Sequence, residues 1–118
     1  LLVEDQQALA IVAKRVLERL GHGVAIAPDG PTALEIALRE RPDLILCDLQ
    51  LEGPMDGHQL ARTLRLHADL ADTPLIAVTA HDGEAIRQQS LASGFDLHLT
   101  KPVDYTEVHR YLEQVRRP

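Results

Sequence analysis

The chain has 118 residues and a net charge of −6, with 45% hydrophobic, 25% charged and 3% aromatic residues. A chain of this length fits one domain with a sizeable core of aliphatic side chains. The acidic balance argues against a basic nucleic-acid-binding surface, the single cysteine excludes an internal disulfide, and no bilayer-spanning stretch or signal peptide is recognisable. We therefore expect one cytoplasmic domain over residues 1–118.

Short apolar runs alternate with helical patterns along the chain. The runs cover residues 1–3, 24–27, 44–47, 75–78 and 95–99, and we predict a strand at each. The opening LLVED looks like a strand that lacks its first residues. In the first helix Leu9, Val12 and Val16 recur at helical spacing, and Gly21 is typical of the helix end.

Four further helices are predicted in the same way. The second begins at Asp29 and Pro31, where proline is well tolerated. The third follows the turn MDG with Asp56 as its cap, and the fourth covers residues 84–93 and ends at Gly94. A fifth apolar pattern lies near the end of the chain.

Strands that alternate with helices predict a parallel sheet covered on both faces. Five such units in so short a chain predict a flavodoxin-like, doubly wound three-layer α/β sandwich. Its five-stranded parallel sheet would have the order 2-1-3-4-5, with five helices. Ligands of such folds bind outside the carboxyl ends of the strands, so the residues at those ends are the candidates for a site.

Charged and hydroxyl side chains follow four of the predicted strands. Glu4 and Asp5 follow the first strand, Asp48 the third, Thr79 the fourth and Lys101 the fifth. Because strands 1 and 3 would be neighbours, the three carboxylates should crowd together and attract a hard divalent cation, for which Mg²⁺ fits best. The hydroxyl and the ammonium suit the oxygens of a phosphoryl group, and an aspartate beside Mg²⁺ can act as a nucleophile towards phosphorus.

Each of these residues has a simpler interpretation when it is taken alone. Asp48 and Asp5 could be helix caps or turn residues. Thr79 lies at a strand end, where threonine is frequent, and Lys101 alone would usually be a solvated surface charge. The combination at matching strand ends favours a site.

The stretches LLVED, RPDLILCDLQL, MDG, PLIAVTA, GFD and HLTKPVD, in this order and spacing, resemble the receiver domains of bacterial two-component response regulators. The run GFDLHLTKPVD is more similar to receivers joined to hybrid sensor kinases than to those fused to DNA-binding domains. The resemblance implies that Asp48 accepts a phosphoryl group from a phosphohistidine on a sensor histidine kinase or a histidine phosphotransfer protein. It also implies an Mg²⁺ site in which Asp5 binds directly and Glu4 through water, with Asp48 and the backbone carbonyl of Gln50 as further ligands.

The same resemblance assigns roles to other positions. Thr79 is similar to the switch hydroxyl that moves onto the phosphoryl group, and Lys101 to the lysine that pairs with that group. Pro102 matches a proline whose preceding peptide bond is cis. His98 stands where many receivers have the aromatic residue of the switch.

Two features differ from the common pattern of these receivers. Glu4 replaces an aspartate, and the loop over residues 48–57 is one residue longer, with Pro54 displaced. Gln50 and His81, two positions after the acceptor and after the switch threonine, are expected to tune the lifetime of the phosphoryl group.

The resemblance implies a signalling domain, not an enzyme. It would assist its own phosphorylation and dephosphorylation and alter a surface made by the fourth helix, the fifth strand and the fifth helix. An interaction module that is no longer phosphorylated is one alternative. Another is an aspartyl-nucleophile phosphatase, although such enzymes usually have an aspartate where this chain has Gln50. We expect no direct binding to nucleic acid or membrane, and a monomer or weak dimer.

Overall fold

The computed structural model of the protein describes residues 1–81 and 83–116, which form five strands and five α-helices. The strands are β1 (Leu2–Val3), β2 (Ile26–Ala27), β3 (Ile45–Asp48), β4 (Leu75–Thr79) and β5 (Leu97–Thr100). The helices are α1 (Gln7–Arg19), α2 (Gly30–Glu40), α3 (Gly57–Leu66), α4 (Glu84–Ser93) and α5 (Tyr105–Arg116), with a 3₁₀ turn (Ala68–Leu70) before β4. None of the helices described is long and apolar enough to cross a membrane.

The strands form one parallel sheet in the order β2-β1-β3-β4-β5. Side chains of a strand alternate between the two faces of the sheet. Leu46 and Ile76 therefore pack against α1 and α5, whereas Ile45, Cys47 and Ala77 pack on the face covered by α2 and α3. The structure confirms the predicted flavodoxin-like sandwich, its strand order and its five helices.

The predicted fifth strand began two residues too early. Its first predicted residue, Phe95, follows Gly94, which ends α4 in the left-handed conformation with φ +116°. The backbone N–H of Phe95 donates to the carbonyl of Ser90, and its ring is buried under the end of α4. Phe95 is thus apolar because it packs at the C-terminal end of α4, and β5 begins only at Leu97.

The apolar spacing in the first helix correctly predicts a helix but not its buried face. Ala10, Ala13 and Leu17 face the sheet, whereas Leu9 and Val12 are 44% and 58% exposed. Small alanine side chains let the first half of α1 lie close to the sheet, with Leu9 and Val12 along its edge, and Leu17 fills the space further along the helix.

The start of α3 lies directly on the backbone that follows β3. Asp56 and Gln59 form a reciprocal capping box at this end of the helix. A Cβ atom on Gly57 would lie 2.7 Å from both the carbonyl oxygen of Asp48 and the Cα of Leu49. Glycine is therefore required for this close approach, which fixes the path of the chain after Asp48.

Arg65 connects the end of α3 to the loops on either side of β4. Its guanidinium donates to three carbonyls after α3, the shortest bond being 2.7 Å to Thr73, and to the carbonyl of Gly94. It also pairs with Asp96 at 2.9 Å. These bonds satisfy carbonyls at the loops around β4, among which that of Leu70 also accepts from the backbone N–H of Thr73.

Candidate functional site

Three carboxylates meet where β1 and β3 end. Val3 is paired with Cys47 in the sheet, so Glu4 and Asp5 follow β1 beside Asp48, the last residue of β3. One carboxylate oxygen from each of the three acidic residues lies within 4.8 Å of the others. The side chains predicted to crowd together therefore do so.

Lys101 reaches the carboxylates from the loop after β5. Its backbone N–H donates to the carbonyl of Thr79 at 2.8 Å, which holds this loop against the end of β4. Its Nζ lies 2.7 Å from Oδ2 of Asp48 and 3.4 Å from Oε1 of Glu4. The peptide bond between Lys101 and Pro102 is cis.

Backbone N–H groups orient the three carboxylates. Asp48 Oδ1 accepts from the N–H of Gln50 at 2.8 Å, which leaves Oδ2 for Lys101. Glu4 Oε2 accepts from the backbone two residues later, at 3.2 Å. Asp5 Oδ2 accepts from the N–H of Glu52 at 3.0 Å, so the loop after β3 is tied to the end of β1. Each of the three acidic side chains is thus oriented by a backbone N–H of the fold.

Glu4 and Asp48 are 7% and 6% exposed, so their charges are costly. Burial raises the pKa of Glu4, and the charge of Asp48 raises it further against the lowering effects of a backbone N–H and Lys101. Burial by itself lowers the pKa of Lys101. The hydrogen bond and charge of Asp48, with the charge of Glu4, outweigh burial, and the net pKa of Lys101 is raised.

The donor set fits a hard divalent cation. All three acidic side chains offer oxygen, and one ammonium opposes three carboxyl groups, so negative charge is left over when they are ionised. Gln50, whose carbonyl was predicted as a ligand, lies with Asp5 and Glu52 around a polar depression beside the cluster.

Thr79 ends β4, one strand from Asp48, and is almost completely buried. Its hydroxyl accepts from the backbone N–H of His81 at 3.1 Å, and His81 itself is exposed. The predicted switch hydroxyl is thus at the end of the correct strand, where it is bonded to its own loop.

His98 is half-buried in β5 and connects this strand to α4. Its Nδ1 lies 2.9 Å from Oγ of Ser90, and that hydroxyl donates to the carbonyl of Arg87. Because a hydroxyl has one proton, Nδ1 of His98 is assigned as the donor to Ser90. The residue at the predicted aromatic-switch position is therefore a direct polar link between β5 and α4.

Sequence reasoning missed one feature of the site. A cavity of about 420 Å³ extends from Asp48 and Lys101 between α1 and the start of α5. Its walls include Val12, Val103 and Tyr105. The helical spacing that includes Val12 and the stretch HLTKPVD that includes Val103 do not indicate an empty volume between them. Burial and the charge of Glu4 raise the pKa of Tyr105, in keeping with its position near the acidic cluster.

Comparison with known proteins gives one consistent result. The sequence profile described as "Response regulator receiver domain" matches residues 1–113. The response regulator PleD of Caulobacter vibrioides is 39% identical over 104 residues, which are 88% of this chain and 23% of PleD. The transcriptional regulatory protein YxdJ of Bacillus subtilis is 30% identical over 99% of this chain and 50% of its own length. The chain thus spans 23% of the length of PleD and half the length of YxdJ.

Solved structures agree with the sequence matches. The receiver domain of a sensor histidine kinase from Pseudomonas aeruginosa has a TM-score of 0.86 and 34% identity, covering 96% of this chain and 92% of that one. That structure has a magnesium ion coordinated in the active site cleft. The signal receiver domain of a histidine kinase from Syntrophus aciditrophicus has a TM-score of 0.86 and 32% identity, covering 99% of this chain and 91% of that one.

Proposed function

The chain belongs to the response regulator receiver domain family, and we propose that it takes a phosphoryl group from a phosphohistidine onto Asp48 in the presence of Mg²⁺. The proposed donor is a sensor histidine kinase or a histidine phosphotransfer protein. The observation that carries the proposal is the placement of Asp48, buried at a strand end with one oxygen held by Gln50 N–H and the other 2.7 Å from Lys101.

The residues around Asp48 have complementary tasks in this reaction. A carboxylate oxygen of Asp48 attacks phosphorus, the P–N bond to histidine breaks, and its electron pair stays on the imidazole nitrogen. Asp5, Glu4 and the carbonyl of Gln50 would hold Mg²⁺, with Glu4 acting through water. The ion would neutralise phosphoryl oxygens when bound. Lys101 would exchange part of its contact with Asp48 for one with a phosphoryl oxygen.

We further propose that phosphorylation shifts the surface made by α4, β5 and α5. The hydroxyl of Thr79 would leave the N–H of His81 and donate to the phosphoryl group. The hydrogen bond between His98 and Ser90 offers a path from the site to α4. New contacts made in one state only are what such a population shift requires. Gln50 and His81 would set the rate of dephosphorylation, because they lie two positions after the acceptor Asp48 and after Thr79.

The test is phosphorylation by acetyl phosphate, followed by intact mass. We expect a single phosphoryl adduct in the wild type that requires Mg²⁺ and is absent from Asp48→Asn. Asp72→Asn is the matched control, because it removes an equal charge from an exposed position and should leave the adduct intact. No adduct in the wild type, or an adduct that survives in Asp48→Asn, would favour the interaction-module alternative or another acceptor.

A further inference from the structure

The cavity beside Asp48 has two chemically different ends. Glu4, Asp48 and Lys101 form its polar end, and those three residues belong to the phosphoryl site described above. The remainder is lined mainly by aliphatic side chains of α1 and of the sheet, together with Val103 and Tyr105 on the opposite side. The apolar space is therefore continuous with the place where the phosphoryl group is transferred.

Small side chains account for the empty volume. On the face of α1 towards the sheet Ala13 lines the cavity, and the loop into α5 contributes Val103 where a larger side chain would fill the space. Val12 stands on α1 at the cavity wall and is 58% exposed. Cavities of a few hundred Å³ with apolar walls and a few converging polar groups are the usual form of small-molecule sites.

We infer that this cavity is a binding site for the apolar group of a small phosphoryl donor, an acyl phosphate whose acyl chain is longer than acetyl. This inference rests on the proposed function, because it needs Asp48 to accept the phosphoryl group. The acyl chain lies along Val12, Val103 and Tyr105, and the phosphoryl group lies at Lys101 and the acidic cluster. The cavity is continuous with the acceptor, so a ligand bound in it has its polar end at Asp48. For this reason we assign the cavity to a phosphoryl donor.

An acyl phosphate also suits the chemistry of the polar end. A carboxylate oxygen of Asp48 forms a bond to phosphorus while the bond from phosphorus to the acyl oxygen breaks. The departing carboxylate takes the electron pair and needs no proton. The apolar walls of the cavity therefore do not have to supply an acid, and charge is conserved between the two carboxylates.

Chain length gives the expected size of the effect. Each methylene group moved from water into apolar surroundings improves binding about fourfold at full burial. Butyryl phosphate has two more methylene groups than acetyl phosphate, and the cavity is partly open to solvent, as the exposure of Val12 shows. We therefore expect the wild type to react about three- to tenfold faster with butyryl phosphate than with acetyl phosphate at limiting donor concentration.

The experiment measures the rate of Asp48 phosphorylation by intact mass with acetyl phosphate, butyryl phosphate and phosphoramidate, which carries no apolar group. Val12→Asn should lower the ratio of the butyryl to the acetyl rate about two- to threefold. Val16→Asn is the matched control, since Val16 is an exposed valine of the same helix outside the cavity lining, and should leave the ratio unchanged. Val103→Phe, designed to fill the cavity, should bring the ratio near one while the phosphoramidate rate stays within about twofold.

The outcomes separate this inference from the proposed function. A wild-type ratio of one or less, with normal labelling by phosphoramidate, overturns the inference and leaves Asp48 as acceptor. A ratio that Val12→Asn and Val16→Asn change equally overturns it as well. If Val103→Phe does not fold, as judged by its melting curve, the comparison of Val12→Asn with Val16→Asn tests the inference. Failure of all three donors to label Asp48 overturns the proposed function and the inference with it.

Discussion

Removal of the Lys101 ammonium should leave two buried carboxylates without a nearby cation. Lys101 Nζ lies 2.7 Å from Asp48 Oδ2 and 3.4 Å from Glu4 Oε1. At an effective dielectric constant of about 20, each of these charge pairs has an attraction of about 5–6 kcal/mol, part of which offsets desolvation. Loss of one partner from a buried ion pair costs about 3–5 kcal/mol. Because Lys101 keeps about a quarter of its side chain in water, we expect Lys101→Met to lower the free energy of unfolding by about 2–3 kcal/mol at pH 7 without metal.

The cost of Lys101→Met should decrease as the pH falls. The pKa of Glu4 is raised in the folded protein, so the folded state binds this proton more readily than the unfolded chain. The contribution of Glu4 to stability is therefore greatest below its ordinary pKa of 4.5 and is lost as the pH rises through its folded pKa. Lys101 lowers the pKa of Glu4, so removing the ammonium raises that pKa. In the variant Glu4 therefore takes up its proton at a higher pH, which relieves its repulsion with Asp48.

Urea unfolding in EDTA at pH 7 and pH 5 measures this effect. Arg39→Met is the control, because Arg39 is 61% exposed and pairs with Glu35 on the surface, where a change of less than about 0.5 kcal/mol is expected. Added Mg²⁺ should stabilise Lys101→Met more than the wild type, since the ion replaces the missing charge. Equal losses for Lys101→Met and Arg39→Met, or a loss that grows towards pH 5, would refute the assignment of Lys101 as the counter-charge of the acidic pair.

Three further predictions concern the framework of the site. Gly57→Ala should lower the free energy of unfolding by about 1–3 kcal/mol, because the added Cβ would meet backbone atoms. Gly23→Ala should change that free energy little, since the space around Gly23 is open. Urea unfolding compares the two variants, and equal losses would contradict the close approach at Gly57. Arg65→Ala should cost about 2–4 kcal/mol because the bonds to backbone carbonyls and the pair with Asp96 are lost, against less than about 0.5 kcal/mol for Arg41→Ala in an exposed pair; urea unfolding measures both, and a larger loss for Arg41→Ala would contradict the prediction. The thiol of Cys47 is buried with a raised pKa, so iodoacetamide should label it at pH 8 only after unfolding; rapid labelling of the native protein would argue against its burial.

The sequence was sufficient for the fold and the acidic cluster because both depend on local patterns. Apolar runs fix the strands, and the carboxyl ends of neighbouring parallel strands must lie together. Asp5, Asp48 and Lys101 could therefore be grouped without coordinates. Glu4 and Asp5 are consecutive, whereas Asp48 and Lys101 are far from them in the chain, and strand order brings all four residues to one end of the sheet.

Other features could not be predicted because they depend on how closely elements approach. The spacing of Leu9 and Val12 specifies a helix, but which edge of that helix is exposed depends on how near its alanines come to the sheet. Phe95 is equally apolar at the end of a helix or at the start of a strand, and the left-handed Gly94 decides between them. The cavity at Val103 is a missing volume, for which a sequence has no direct signal.

The geometry of the site also indicates why a divalent cation would stabilise it. Glu4 and Asp48 are buried close together, and the raised pKa of Glu4 records the cost of charging it there. Lys101 offsets this cost in the isolated domain by binding both carboxylates. A divalent cation would supply more positive charge than Lys101 and would free the ammonium for a phosphoryl oxygen. The cation would relieve the repulsion among the carboxylates, so part of the stability that the fold loses at this cluster would be regained when metal binds.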